Sequence, residues 1–266
     1  MNIAYCGTNK LDANMKIENY PIKITPAPVV EAVIELRFKS NEPRESVFGM
    51  IYPSLKDSFP NYNSLPILQL PSQIVNDNPM LNQAPHYELI NGNISVLLGP
   101  EVLSVVYRNR TTGDEYPGWD KHLRDTVFDV FTKADSTGYI NTVNRLGIRY
   151  VNFFKDCNIL DKTEVSIKLL EAATDTEETM LRTVLKRGNI NNIIMISNKS
   201  TYVSDGIQKN GSLIDIDSFM ETTSKKEDFF INLKTKLTDV HDENKKIFFS
   251  LLKDDFVATL KPEYKQ

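Results

Sequence analysis

Cysteine, histidine and tryptophan are scarce in this chain, at two, three and one among 266 residues. Two cysteines, Cys6 and Cys157, cannot build a disulfide framework and fit a reducing compartment. The histidines lie far from one another and from both cysteines, which argues against a zinc site. No apolar run approaches the roughly 18 residues of a membrane helix, and the first residues are too polar for a secretory signal. The chain is therefore expected to be cytoplasmic, with no membrane contact. A basic excess is missing too: the formal charge is −4. That excludes a protein that grips duplex nucleic acid by overall phosphate neutralisation, although local basic faces stay open. No nucleophile motif accompanies any histidine, so no catalytic residues and no cofactor are assigned.

What is present is an ordinary globular composition, 41% apolar and 25% charged, long enough to bury its own core. After Pro26 and Pro28, residues 29–38 alternate, with Val30, Ala32, Ile34, Leu36 and Phe38 on one face and Glu31, Glu35 and Arg37 on the other. This period of two predicts a half-buried strand. A helix follows through Val47, Ile51 and Leu55, shortened by Pro53. A Pro- and Asn-rich stretch over 60–85 reads as irregular. Apolar runs at 87–90, 94–98 and 102–107, broken by Asn91-Gly92-Asn93 and Gly99-Pro100, read as a three-strand meander. A second helix enters at Trp119 and ends at Gly138.

The second half repeats that order more faintly: a strand over 145–154, a helix-compatible stretch near 164–171, then strands at 180–186, 190–197 and 213–219 with Asn189 and Asn210-Gly211 as turns. A last helix opens on a capping box, Ser224 with Glu227, and carries an apolar stripe from Phe229 to Phe256. The expected fold is α+β: a twisted, mostly antiparallel sheet with helices on one face. Residues 1–20 are a loose lead-in, and 21–142 and 143–266 form two strand-helix-three-strand-helix halves, readable as an internal duplication sharing one sheet.

The most informative segment is Asn144 to Asn152, in which Arg145 and Arg149 share a strand face around Gly147 while Leu146, Ile148 and Tyr150 take the other. A buried guanidinium must find carboxylates or an anion. Glu31 and Glu35 have the same spacing, and two neighbouring first strands would let them meet the arginines in bidentate pairs. One reading is a structural ion-pair ladder of Glu31, Glu35, Arg145 and Arg149. The other is that Arg145 and Arg149 face outward and bind a phosphate, nucleotide or acidic peptide. Asp215 and Asp217 share a strand face and are weak candidates for Mg²⁺, with a solvated strand face as the plainer reading and no metal assigned. Trp119, near Arg108, Arg110, Lys121 and Arg124, is a candidate stacking platform for a base, or else a ring packed at a helix entry. His241 is read as structural or surface.

Together, Pro28 to Phe38, Gly99 to Val105, Tyr116-Pro117-Gly118-Trp119, Arg145 to Asn152 and Leu213-Ile214-Asp215-Ile216-Asp217 resemble a sporadically distributed family of uncharacterised bacterial proteins, over about residues 22 to 260. The resemblance implies no catalytic residues, and it suggests mobile or phage-defence loci. The functional expectation is a non-enzymatic binding or accessory protein working through a protein partner, or as a homo-oligomer. A sensor that uses Arg145 and Arg149 to bind an anionic small molecule or nucleic acid is the alternative, and a hydrolase with dispersed residues is the third.

Overall fold

The structure is a computed structural model that describes residues 20–78, 81–110, 115–169, 172–173, 177–204 and 206–265. The lead-in over 1–19, Cys6 with it, lies outside the described residues. Along the chain run β1 (Val29–Lys39), α1 (Val47–Leu55), β2 (Asn61–Ser64), α2 (Ser72–Asp77), β3 (Tyr87–Asn91), β4 (Ile94–Gly99), β5 (Val102–Arg108), α3 (Arg124–Ser136) and β6 (Thr142–Lys155). There follow β7 (Lys168–Leu169), β8 (Ala172–Ala173), β9 (Met180–Arg187), β10 (Ile190–Ser204), β11 (Ile207–Lys225), α4 (Lys226–Ile231), α5 (Leu233–Leu251) and α6 (Asp254–Thr259).

Nine strands form one open sheet in the order β2-β3-β4-β5-β1-β6-β11-β10-β9, while β7 and β8 pair separately. Every pairing is antiparallel. The two expected first strands are neighbours at the centre, with Ala32 opposite Tyr150 and Glu35 opposite Gly147. From that pair the order runs outward as β5, β4, β3 on one side and β11, β10, β9 on the other. The helices do not correspond as well: where the first half has α1, the second has a 3-10 turn at Ile159–Lys162.

Alternation puts Ala32, Ile34, Leu36 and Phe38 of β1 and Leu146, Ile148 and Tyr150 of β6 on one face, where α1, α3, α4 and α5 cover them with Ile51, Leu55, Val127, Phe131, Phe229 and Leu237. Each of the buried valine, leucine, isoleucine and phenylalanine side chains contributes roughly 1.5–3 kcal/mol by leaving water. A second cluster, with Ile196, Ile216, Ile247 and Leu252, continues the core under α5 and α6. Buried Asn244 of α5 bridges the central strands from this side, its Nδ2 donating to the carbonyls of Ile148 at 3.1 Å and Ile216 at 2.9 Å.

Five local expectations are corrected. Residues 164–171 form no helix within the described part: Val165, Ile167 and Leu169 recur at a period of two, and Lys168–Leu169 is β7. Ser224 caps nothing, because β11 runs on to Lys225 and Ser224 pairs with Val143, while α4 starts without a side-chain cap. Asn210-Gly211 is not a turn. It lies inside β11, where a Cβ on Gly211 would collide with the Phe154 carbonyl, and the chain turns instead at Gly206, whose φ is +72°. The terminal helix is three helices, broken at Asn232 and again after Leu251. Within 60–85, the stretch read as irregular, β2 pairs with β3 and a short helix, α2, forms.

Candidate binding face on the open side of the sheet

Opposite the helices, the sheet presents alternating charges drawn from five strands. Glu88 stands on β3, Arg108 on β5, Glu31, Glu35 and Arg37 on β1, Arg145 and Arg149 on β6, and Asp215 and Asp217 on β11. Arg145 sits at the centre. Its Nη1 donates to Glu35 at 2.6 Å, and its Nη2 donates to both oxygens of Asp217 at 2.7 and 2.9 Å. The guanidinium lies over Gly147, and Phe219 closes it from the side with its ring centroid 4.3 Å from Cζ. Gly147 is therefore explained by a close approach: its missing Cβ leaves the space the guanidinium fills, since a Cβ there would stand 2.8 Å from Cζ. Only 12% of the Arg145 side chain meets solvent.

Arg149 has a different setting. It forms a fork with Asp215, Nε at 2.8 Å and Nη2 at 2.6 Å, yet it remains 44% exposed while Asp215 is only 8% exposed. The hydrogen bonds to Asp215 hold the guanidinium more firmly protonated than usual. Asp217 moves in the opposite sense to an ordinary salt-bridged acid: burial lifts its carboxyl above the usual range, against the pull of Arg145. Glu35 also accepts from Arg37 at 2.7 Å, and Arg37 reaches Gln83 at 2.7 Å. Arg108 donates to Glu31 at 2.8 Å and to Glu88 at 3.3 Å.

The expected meeting of the two first strands is thus realised at Glu35 and Arg145, whereas Glu31 is held by Arg108 and Arg149 by Asp215. Asp215 and Asp217, the weak metal candidates, each hold an arginine, and no group of three ligating side chains is assembled among the described residues. Trp119, the candidate platform, is 6% exposed and stacks on His241 with centroids 4.5 Å apart and planes 4° from parallel. The imidazole occupies a face of the ring, so Trp119 belongs to the core. Tyr150 stands edge-on to the same imidazole, and its hydroxyl meets that of Tyr116 at 2.9 Å. Burial pushes His241 below, and both tyrosines above, their ordinary values.

Next to Arg149 the open face dips into a depression of about 240 Å³ lined by Arg149, Arg182, Ile193, Met195, Asp215 and Asp217. Arg182 and this depression were missed in the sequence, as was Asn244. Register alone brings Arg182, Met195 and Asp215 into one row, through the pairs Arg182–Met195 and Met195–Asp215. A larger cavity of about 500 Å³ opens beside α3, lined by Tyr107, Glu115, His122, Asp125 and Asp129 among others. The sequence matches no protein-family model and no curated protein. No helix among the described residues is long and apolar enough to cross a membrane.

Proposed function

We propose that this chain is a non-enzymatic binding protein that acts through a protein partner, in the kind of bacterial locus that its family resemblance implies. One observation carries the reading. The central titratable groups of the open face, Glu35, Arg145, Arg149, Asp215 and Asp217, are committed to one another, while the eight-residue edge strand β9 is exposed along nearly its whole length and, among the described residues, pairs with β10 alone. General acid–base chemistry needs a group held ready for substrate protons, and carboxylates fixed on guanidiniums are poorly suited to that work. The test is to tag the full chain in its native host and measure the mass of what purifies with it by light scattering. A stoichiometric complex with a second protein is expected. Turnover of a general panel of hydrolase substrates, abolished by Asp217→Asn in a folded protein, would overturn the reading.

A second reading, an anion or nucleic-acid sensor, rests on Arg149 and Arg182 bordering the depression. Arg145 contributes nothing to it, being enclosed by its two acids and Phe219. A rise in melting temperature with nucleotides or single-stranded oligonucleotides, lost in Arg149→Ala, is the result that would favour it.

A further inference from the structure

We infer that β9 is a docking edge for an extended segment of a partner protein, which adds as a tenth strand and carries two acidic side chains four residues apart with an apolar one midway between them. The inference rests on the binding-protein reading above and specifies where and what it binds.

The geometry begins at the β9–β10 hairpin. Arg187 and Ile190 pair across a two-residue turn that starts with Gly188 at φ +57°. Residues flanking such a turn exchange both backbone hydrogen bonds, so the odd-numbered positions of β9 bond to β10. The N–H and C=O groups of Arg182, Val184 and Lys186 consequently point outward from the sheet. Unpaired edge groups of this kind are the template for strand addition.

The side chains then select the partner. Alternation puts Met180, Arg182, Val184 and Lys186 on the open face, with Met180 66% and Val184 59% exposed. Neither Arg182 nor Lys186 has an ion-pair partner among the described residues, unlike Arg187, which reaches Glu243 on the helix side. An incoming strand that sets acids opposite Arg182 and Lys186 must place an apolar residue opposite Val184, beside Ile193 of the depression. A second copy of this chain fits badly. In the register centred on Val184, Arg182 of each copy would face Lys186 of the other, and like charges directly opposite are destabilising. The edge therefore rejects itself and accepts an acidic strand, in a protein whose overall charge is −4.

The probe is a fluorescein-labelled peptide of threonines with two glutamates flanking a central isoleucine at that spacing, titrated into the full chain and read by anisotropy. Saturable binding is expected. Arg182→Glu with Lys186→Glu should weaken it by roughly tenfold or more, and a peptide carrying lysines in place of the glutamates should bind that double variant instead. Val184→Pro removes one outward N–H while leaving the β9–β10 bonds in place, and should abolish binding in a chain that melts normally. If the wild-type chain does not bind the peptide, or binds it equally well after charge reversal, the docking edge is refuted. The same holds if the wild-type chain dimerises and Val184→Pro makes it monomeric, since the occupant is then a second copy. A stoichiometric native complex that survives Val184→Pro would refute the edge and leave the binding-protein reading standing.

Discussion

Two parts of one sheet face use arginine to opposite ends. On β6, Arg145 and Arg149 are answered by carboxylates on β1 and β11 at 2.6 to 2.9 Å. On β9, Arg182 and the neighbouring Lys186 stand in solvent without ion-pair partners among the described residues. Burial explains the difference. A guanidinium removed from water loses several kcal/mol of hydration unless acids replace it, so the inner arginines are tied into the fold. An edge cation keeps its water and costs the fold little, which leaves it available for another molecule.

The sharpest break of this comparison lies between Arg145 and Arg149. Arg145→Ala leaves Glu35 and Asp217 without the cation they share, and should destabilise the protein by about 3–5 kcal/mol. Arg149→Ala removes a guanidinium that is 44% exposed but strands Asp215, which is only 8% exposed, and should cost about 2 kcal/mol, less than Arg145→Ala because one acid is left without its cation where Arg145→Ala leaves two. Gly147→Ala should reproduce the Arg145 result, because the new methyl group occupies the space of the guanidinium. Urea denaturation of the three variants measures this, and equal midpoints for the two alanine replacements of arginine would remove the distinction. From the helix side, Asn244→Ala should cost about 2 kcal/mol by removing two buried hydrogen bonds, to the Ile148 and Ile216 carbonyls, that tie α5 to the central strands.

How much of this was legible in the sequence depends on the range of the interaction. The period of two in β1 and β6 identified both strands and the faces of Arg145 and Arg149, because alternation is a local property of the backbone. Their adjacency was reachable from the repeated order of elements. The partner of Arg149 was not, since choosing Asp215 over Glu31 depends on β11 lying on the other side of β6, and pairing between segments more than sixty residues apart leaves no local trace. The same limit hid Asn244, a polar residue within an apolar helix stripe. Gly211 and Ser224 misled for a related reason: each has a strong local preference, for a turn and for a helix cap, and each was overridden by pairing along the long strand β11.

Acid should separate the two faces by a smaller effect. Burial lowers the pKa of His241, so on acidification from pH 7 the unfolded chain takes up the proton near the ordinary value of about 6.5 while the folded chain resists it. The unfolded state then binds more protons, and stability falls as the pH drops toward 5. His86, lowered by burial and by Arg44, adds to the same trend. His241→Phe should flatten part of this slope in a series of melting curves. Because Trp119 is the sole tryptophan and stacks on His241, its emission in the folded parent should hold steady where the unfolded chain titrates and change only at lower pH, when His241 takes up its own proton, a change the variant should lack. An unchanged slope in the variant would mean that His241 is not held neutral by the helix face.

The smallest expected effect on stability belongs to the edge, and it is the most informative about its charges. Arg182→Thr with Lys186→Thr touches no ion pair among the described residues, so the melting temperature should hold, with a free-energy change within about 0.5 kcal/mol. Self-association should nevertheless rise, because Val184 and the outward N–H and C=O groups remain while the like charges that oppose a second copy are gone. Sedimentation velocity across a concentration series compares the two proteins directly. The parent chain should show no dimer formed through β9, and the threonine variant should shift to larger species that Val184→Pro returns to the parent size. If neutralising the two cations leaves the distribution unchanged, they are not what keeps β9 unpaired, and the contrast between inner and outer arginines reduces to one of burial alone.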